Sequence, residues 1–487
     1  MQKSIAKNSV FYLINNSLNM LFPFVSSMYV AHILTPASIG DVTIAQNGVA
    51  YFSILAFLGL PTYGMREIAK YRNDKEELNK LFSELFIINF ISTIVFSSLY
   101  YGTILVIPKF RELLAMRLLV GFTVILNMLN ISWLYEGLEE FGYVSKRNTC
   151  FKIIMLILLL VFVRDDSDAM IYAGINVIGV AGNNIINVIH SRKYVKPQLK
   201  GLNFKRHMKT IFLLVTVNIA IEIYTLVDTT MLGMLSSNEH VTYYAYGSRV
   251  NRILIQVTNT ITMVLVPRIS YEFKEKNFKE FNRLLTRGLK TIIVFAIPMI
   301  IGIQFTAQFL FIKLYGSNYI SSSIVERILC FVIIISPIGY LLGSRVMLVS
   351  SNEKKMIFCV GIGAIVNILG NAILIPHFNE YGAAIASVIS EIVVMVLYIN
   401  QGRKIYKLDD YFSSLKKVIF AGILECIFLL VCNKIFDPSW IRLIIEIVGA
   451  VAIYGIVLII EKEEFVIGYT DIILKKLHIH SFKEGKN

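Results

Sequence analysis

Two arginines stand one helical turn apart beside three tyrosines in Tyr243-Tyr244-Ala245-Tyr246-Gly247-Ser248-Arg249-Val250-Asn251-Arg252. A guanidinium offers a planar fork of donors that matches phosphate oxygens, and tyrosine rings cover sugar faces. Arg249, Arg252, Tyr243 and Tyr246 together form the kind of face that a phosphate-bearing sugar ligand needs. Arg252 equally fits a helix end whose charge snorkels to the interface, and Arg345, late in another apolar run, is open to the same two readings. Asp228, in Leu226-Val227-Asp228-Thr229-Thr230, is a lone carboxylate in an apolar stretch. Such a group pairs, binds a cation or takes a proton, because a charge at mid-membrane costs ~2.5–3.5 kcal/mol on insertion scales. Asn367 and Asn371 are four residues apart, so both amides leave one helix face. They would either complete an oxygen site with Asp228 or hydrogen-bond neighbouring helices. Glu391, Glu425 and Glu446 also fall in apolar runs, with no role beyond proton or ion-pair partners.

The elements that must position these groups are membrane helices. The chain is 56% hydrophobic and 16% charged, against about 25% charged in soluble proteins. Apolar runs of roughly 20 residues, the length that crosses a ~30 Å hydrocarbon core, recur almost throughout. The pattern predicts an all-α integral membrane protein of about fourteen transmembrane helices. No Gly-x-x-x-x-Gly-Lys-Ser/Thr loop occurs, so ATP-driven work by this chain alone is not expected. The five cysteines lie in or beside apolar runs without metal-ligand spacing, which predicts small buried hydrophobes.

The runs are organised as a repeat. Leu60-Pro61-Thr62-Tyr63 followed by basic sequence returns about two hundred residues later as Val266-Pro267-Arg268-Ile269, and Tyr172-Ala173-Gly174 returns as Tyr381-Gly382-Ala383. This predicts a six-helix lobe over residues 1–200, a second over 201–404, and an appendix of two helices and an amphipathic tail over 405–487. Six spans per lobe keep one orientation, so a pseudo-two-fold along the membrane normal should relate the lobes. The net charge of +14 follows the topology. Lys and Arg crowd alternate loops (Arg66 to Lys80, Arg192 to Lys209, Arg268 to Arg287, Arg403 to Lys417), while Lys109, Arg111, Arg164 and Lys434 are exceptions in the others. The positive-inside rule then places both termini in the cytoplasm, with the chain in the cytoplasmic membrane. The excess is a topology signal that also attracts anionic lipids, not a nucleic-acid site. The connector His190–Lys209 fits an interfacial helix or a plain linker. Ser270–Lys290 and Phe465–Phe482 read as amphipathic helices on the inner leaflet, with bracing the expected role.

At these residues the chain resembles a known family. Thr229-Thr230-Met231-Leu232-Gly233, Val241-Thr242-Tyr243-Tyr244-Ala245-Tyr246 and Leu265-Val266-Pro267-Arg268-Ile269-Ser270 are similar to the signature of Wzx-type polysaccharide repeat-unit flippases. These are O-antigen and capsule transporters of the multidrug/oligosaccharidyl-lipid/polysaccharide exporter superfamily. Ile33-Leu34-Thr35-Pro36, Asn352-Glu353-Lys354-Lys355 and Tyr381-Gly382-Ala383-Ala384 extend the resemblance over essentially the whole chain. It implies a transporter without covalent chemistry, which flips an undecaprenyl-pyrophosphate-linked glycan to the outer leaflet through a cationic cleft. The polymerase and chain-length machinery would be its partners. It further implies that Arg249 faces substrate, and that Asp228, Asn367, Asn371 and Ser387 form a sodium site. Asn371 stands where relatives carry Asp, so sodium or a proton remains open as coupling ion, and no other cofactor is expected. The first span carries Asn15, Asn16 and Asn19 but lacks the Arg of lipid II flippases, which favours a repeat-unit substrate. Competing readings are a multidrug/cation antiporter, disfavoured by the basic face, and a polysaccharide polymerase, disfavoured by short outer loops.

Overall fold

The computed structural model describes residues 19, 21–408, 412–463 and 466–468. The starts of the first span, with Asn15 and Asn16, and most of the amphipathic tail Phe465–Phe482 lie outside the described residues. Every described regular element is helical. Nine helical runs among the described residues are long and apolar enough to cross a membrane. Fourteen spans were expected; one of the nine runs, Glu353–Gly402, accounts for two of them, because Asn379 breaks it with φ 47°.

The chain divides into two compact units, Met1–Thr242 and Tyr243–Asn487. The division falls about forty residues beyond the repeat border at 200/201. Unit 1 contains α1 (Leu21–Ile33), α2 (Pro36–Phe57), α3 (Leu60–Tyr71), α4 (Lys75–Val106), α5 (Leu114–Leu126), α6 (Ser132–Gly137), α7 (Phe141–Phe162), α8 (Ala169–Ser191) and α9 (Lys205–Leu235). Helix starts follow capping chemistry. Thr35 accepts from the Ser38 amide ahead of Pro36, and Asp74 accepts from the amides of Glu76 and Glu77. Although α9 belongs to the second sequence repeat, it packs on α2: the Asn47 amide donates to Thr229 at 2.7 Å, and Tyr51 and Thr230 hydroxyls lie 3.0 Å apart. Those bonds explain why the unit extends beyond the repeat border.

Within unit 1, α3 packs on α4 and α6 around Leu60, Tyr63, Phe82 and Trp133. Gly64 permits this approach, since a Cβ there would lie 2.8 Å from the Trp133 ring. The opposite face of α4 leaves Phe90, Ile91, Ile94 and Val95 exposed, as a lipid-facing surface requires. Between α8 and α9 the connector is not helical, and it is tied to the start of α4 by the Lys196 amide on Asn79 Oδ1 and the Gln198 amide on Ser83 Oγ, each 2.8 Å. Its end converges on Glu84, which is fully buried. That carboxylate accepts from the Asn203 amide (2.6 Å), Arg206 Nε (2.9 Å) and Nη2 (2.6 Å), and His207 Nε2 (2.7 Å). With His207 neutral, Tyr63 Oη donates to its Nδ1 at 2.7 Å.

Unit 2 is built from most of α10 (Asn238–Met263), α11 (Val266–Lys274), α12 (Phe278–Tyr315), α13 (Ile320–Leu329), α14 (Val332–Gly339), α15 (Val346–Val349), α16 (Glu353–Gly402), α17 (Phe412–Ile435) and α18 (Trp440–Ile460). The stretch Ser270–Lys290 is not one amphipathic helix: Lys276, at φ 58°, separates α11 from α12. Phe281, Leu284 and Leu285 bury in the core of this unit with Ile269 and Leu341, so they brace protein. A short Pro-started helix, a turn and a long helix thus follow Pro61 and Pro267 alike. The two appended helices pack on α12, where Tyr454 Oη donates to the Val294 carbonyl at 2.9 Å.

Candidate functional site

The sequence-predicted residues of unit 2 lie on α10, on α16 and in a π-helical turn. Gly247 lets α10 approach α13 closely, since a Cβ there would meet Val325 Cγ1 at 2.7 Å and the Ser322 carbonyl oxygen at 2.8 Å. That approach fixes the face on which Arg249 stands. Arg249 is half-buried, with its guanidinium 5.1 Å from the Tyr246 ring centre, a cation–π distance. Tyr246 is itself 2% exposed: it stacks on Tyr319 at 5.0 Å and meets Tyr315 edge-on at 4.9 Å. Its ring therefore serves as a shelf under Arg249. Tyr243 is more open and meets Tyr319 edge-on at 6.2 Å, while Arg252 is exposed.

Arg345 closes the π-helical turn Tyr340–Arg345, which joins α14 to α15. The wider turn places residues five apart over each other. Arg345 accordingly lies 4.3 Å from the ring centre of Tyr340 and contacts its hydroxyl. On α16 the buried Asn371 amide donates to Asn367 Oδ1 at 3.2 Å, so these two do share a face. Ser387 lies 3.0 Å from the Tyr244 hydroxyl and donates to the Ala383 carbonyl. Asp228, buried on α9, belongs to unit 1. Among the described residues no group of three or more His, Cys, Asp or Glu is placed to hold a metal.

Several residues escaped sequence reasoning. Tyr315 and Tyr319 stand four residues apart in the sequence, but nothing there shows their contact with Tyr246. Glu326 on α13 is a carboxylate only 1% exposed. Arg117 on α5 is buried inside an apolar run, a signal as plain as that of Arg249.

This multi-helix membrane fold is shared with solved structures of the flippase and multidrug-exporter type. The fold matches the inward closed structure of the lipid II flippase MurJ with a TM-score of 0.75 at 15% identity, covering 96% of this chain and 99% of that one. It also matches an inward-facing multidrug resistance MATE family transporter of the MOP superfamily, with a TM-score of 0.64 at 14% identity over 80% and 97%. The chain belongs to the polysaccharide biosynthesis protein family, which matches residues 5–272; the MatE family also matches residues 214–373. Among relatives, a protein of Escherichia coli strain K12 named "Putative O-antigen transporter" is 21% identical over 82% of this chain and 98% of its own length. One of Haloferax volcanii named "Probable flippase AglR" is 23% identical over 91% and 94%.

Proposed function

We propose that this chain flips a lipid-linked oligosaccharide, an undecaprenyl-diphosphate-bound repeat unit, from the inner to the outer leaflet of the cytoplasmic membrane. The observation that carries this reading is Arg249, half-buried on the aromatic shelf of Tyr246 within a family of polysaccharide biosynthesis proteins. A guanidinium held over a ring in a low-dielectric setting keeps its donors aimed and pays little further ordering cost when it meets a diphosphate. Arg252 and Arg345 supply further positive charge, and Tyr243 a more open ring for sugar.

Transport proceeds by alternating access and is driven by an ion. Unit 2 offers Asn367, Asn371 and Ser387, and unit 1 offers Asp228, as hard oxygen donors of the kind sodium takes, and Asp228 alone would serve a proton. Cation binding there favours the inward-facing state. The related outcome, export of lipophilic cations, is disfavoured by the basic character of α10.

Arg249→Ala should abolish surface polysaccharide while membrane abundance holds, and the lipid-linked precursor should accumulate and be identifiable by mass spectrometry. Wild-type polymer in that variant would sink the reading. Asp228→Asn should remove the sodium or pH response of transport; an unchanged response would remove the ion site.

A further inference from the structure

Unit 1 contains a cavity that none of the residues above explains. It occupies about 890 Å³, counting its open mouth, and lies among α2, α4, α5 and α9 near the turn Pro108–Arg111. Its enclosed part, about 180 Å³, is comparable to an engineered cavity of about 150 Å³ that takes a single six-membered ring. Its walls combine aromatic rings (Tyr51, Phe52, Tyr100, Phe110) with one buried guanidinium, that of Arg117.

Arg117 is 8% exposed, and its Nε is buried with no hydrogen-bond partner. The guanidinium lies 4.7 Å from the Phe110 ring centre. Among the described residues no ion pair reaches it, although Glu112 also lines the cavity. A buried guanidinium whose Nε has no hydrogen-bond partner, beside an open cavity, calls for an acceptor there, and an anion is the best one. The other cation of the lining, Lys109, already donates to the Met234 carbonyl at 2.8 Å. One available guanidinium with a carboxylate nearby suits a single negative charge and repels a diphosphate. The aromatic rings suit the apolar face of a sugar ring, and the Asn47, Tyr51 and Thr230 edge suits its hydroxyls.

We propose that this cavity is a subsite for an acidic sugar, with Arg117 taking the carboxylate of a uronic-acid residue and the rings taking its face. This deepens the flippase reading and rests on it for the origin of the sugar: an acidic residue of the transported glycan. Arg117 belongs to unit 1 and Arg249 to unit 2, and different experiments test the two assignments.

The test is calorimetric titration of the purified full-length protein in nanodiscs with glucuronate, glucose and inorganic phosphate. Glucuronate should bind saturably, and glucose at least tenfold more weakly. Arg117→Gln should weaken glucuronate at least tenfold. Gly48→Leu provides a second variant that keeps the charge. A Cβ at Gly48 would meet Arg117 Nη1 at 3.8 Å and Tyr100 Cε2 at 3.9 Å, ordinary contacts, so a longer side chain grows into the cavity without displacing backbone. It too should abolish glucuronate binding. The proposal is overturned by absent glucuronate binding to the wild type, by equal binding of glucose, or by Arg117→Gln or Gly48→Leu binding like wild type. Phosphate binding at Arg117 without glucuronate would likewise overturn it, by assigning the site to the diphosphate. Failure of the flippase reading shows instead as normal polymer in Arg249→Ala cells, whatever the titration gives.

Discussion

Replacing Glu84 by glutamine removes one charge at the point where the end of the connector is tied to α4. The wild-type carboxylate is fully buried and accepts four hydrogen bonds, from the Asn203 amide, Arg206 Nε and Nη2, and His207 Nε2. Bonds to a charged partner contribute about 1.5–3 kcal/mol each. Glutamine keeps one oxygen, which still takes two donors, but turns an NH2 toward the others. Arg206 is 28% exposed on its side chain and retains Glu77 at 3.4 Å, so water and that second carboxylate recover part of the loss. The expected net weakening is about 2–3 kcal/mol in local anchoring. At 1.4 kcal/mol per tenfold, that is about 30- to 150-fold faster hydrogen exchange at amides 196–207, in the regime where local opening limits exchange. Exchange measured by mass spectrometry on connector peptides reads this directly. Core amides of α12, in the other unit, serve as the internal control. An acceleration under threefold would refute the view that Glu84 anchors the connector. So would an Arg206→Gln/Glu84→Gln pair whose effects simply add.

Four further outcomes follow from the same geometry. Burial holds the His207 imidazole below its ordinary pKa against the pull of Glu84; an opened connector therefore binds the proton more readily, and anchoring present above about pH 6.5 should decline on acidification, by at most tenfold per pH unit. Corrected exchange rates between pH 7.5 and 5.5 check this, and His207→Gln should flatten the dependence. Gly64→Ala places a Cβ 2.8 Å from the Trp133 ring and should cost about 1–3 kcal/mol, seen as a lower thermal midpoint and altered Trp133 emission in a Trp440→Phe background. Gly247→Ala should push α10 off Val325 and the Ser322 carbonyl, lowering surface polysaccharide strongly with the protein still inserted, as blotting and polymer staining would show. Asn379, at φ 47° and ψ −128°, holds a backbone that only glycine adopts easily; Asn379→Val should cost about 1–3 kcal/mol and Asn379→Gly distinctly less, by thermal unfolding.

What the sequence determined by itself is what depends on local composition and spacing. Apolar run length fixes helices in a membrane, Pro61 and Pro267 start matching short helices, and an arginine in an apolar run marks itself because its cost there is local. Asn367 and Asn371 share a face because helical geometry alone brings residues four apart together. Tertiary structure decided what depends on which helices meet. The repeat border could not show that α9 packs with α2, since Thr229 and Thr230 find Asn47 and Tyr51 only across a long loop closure. The same holds for Tyr246, whose ring reads as open in sequence and is enclosed by Tyr315 and Tyr319 in the fold. The connector's basic residues read as interfacial, yet Arg206 turns inward because a buried carboxylate on α4 outcompetes the headgroup layer. Arg117 carried its signal openly, but only packing reveals that its guanidinium lines a cavity. Side-chain cost is written in the sequence; side-chain partners are chosen by the fold.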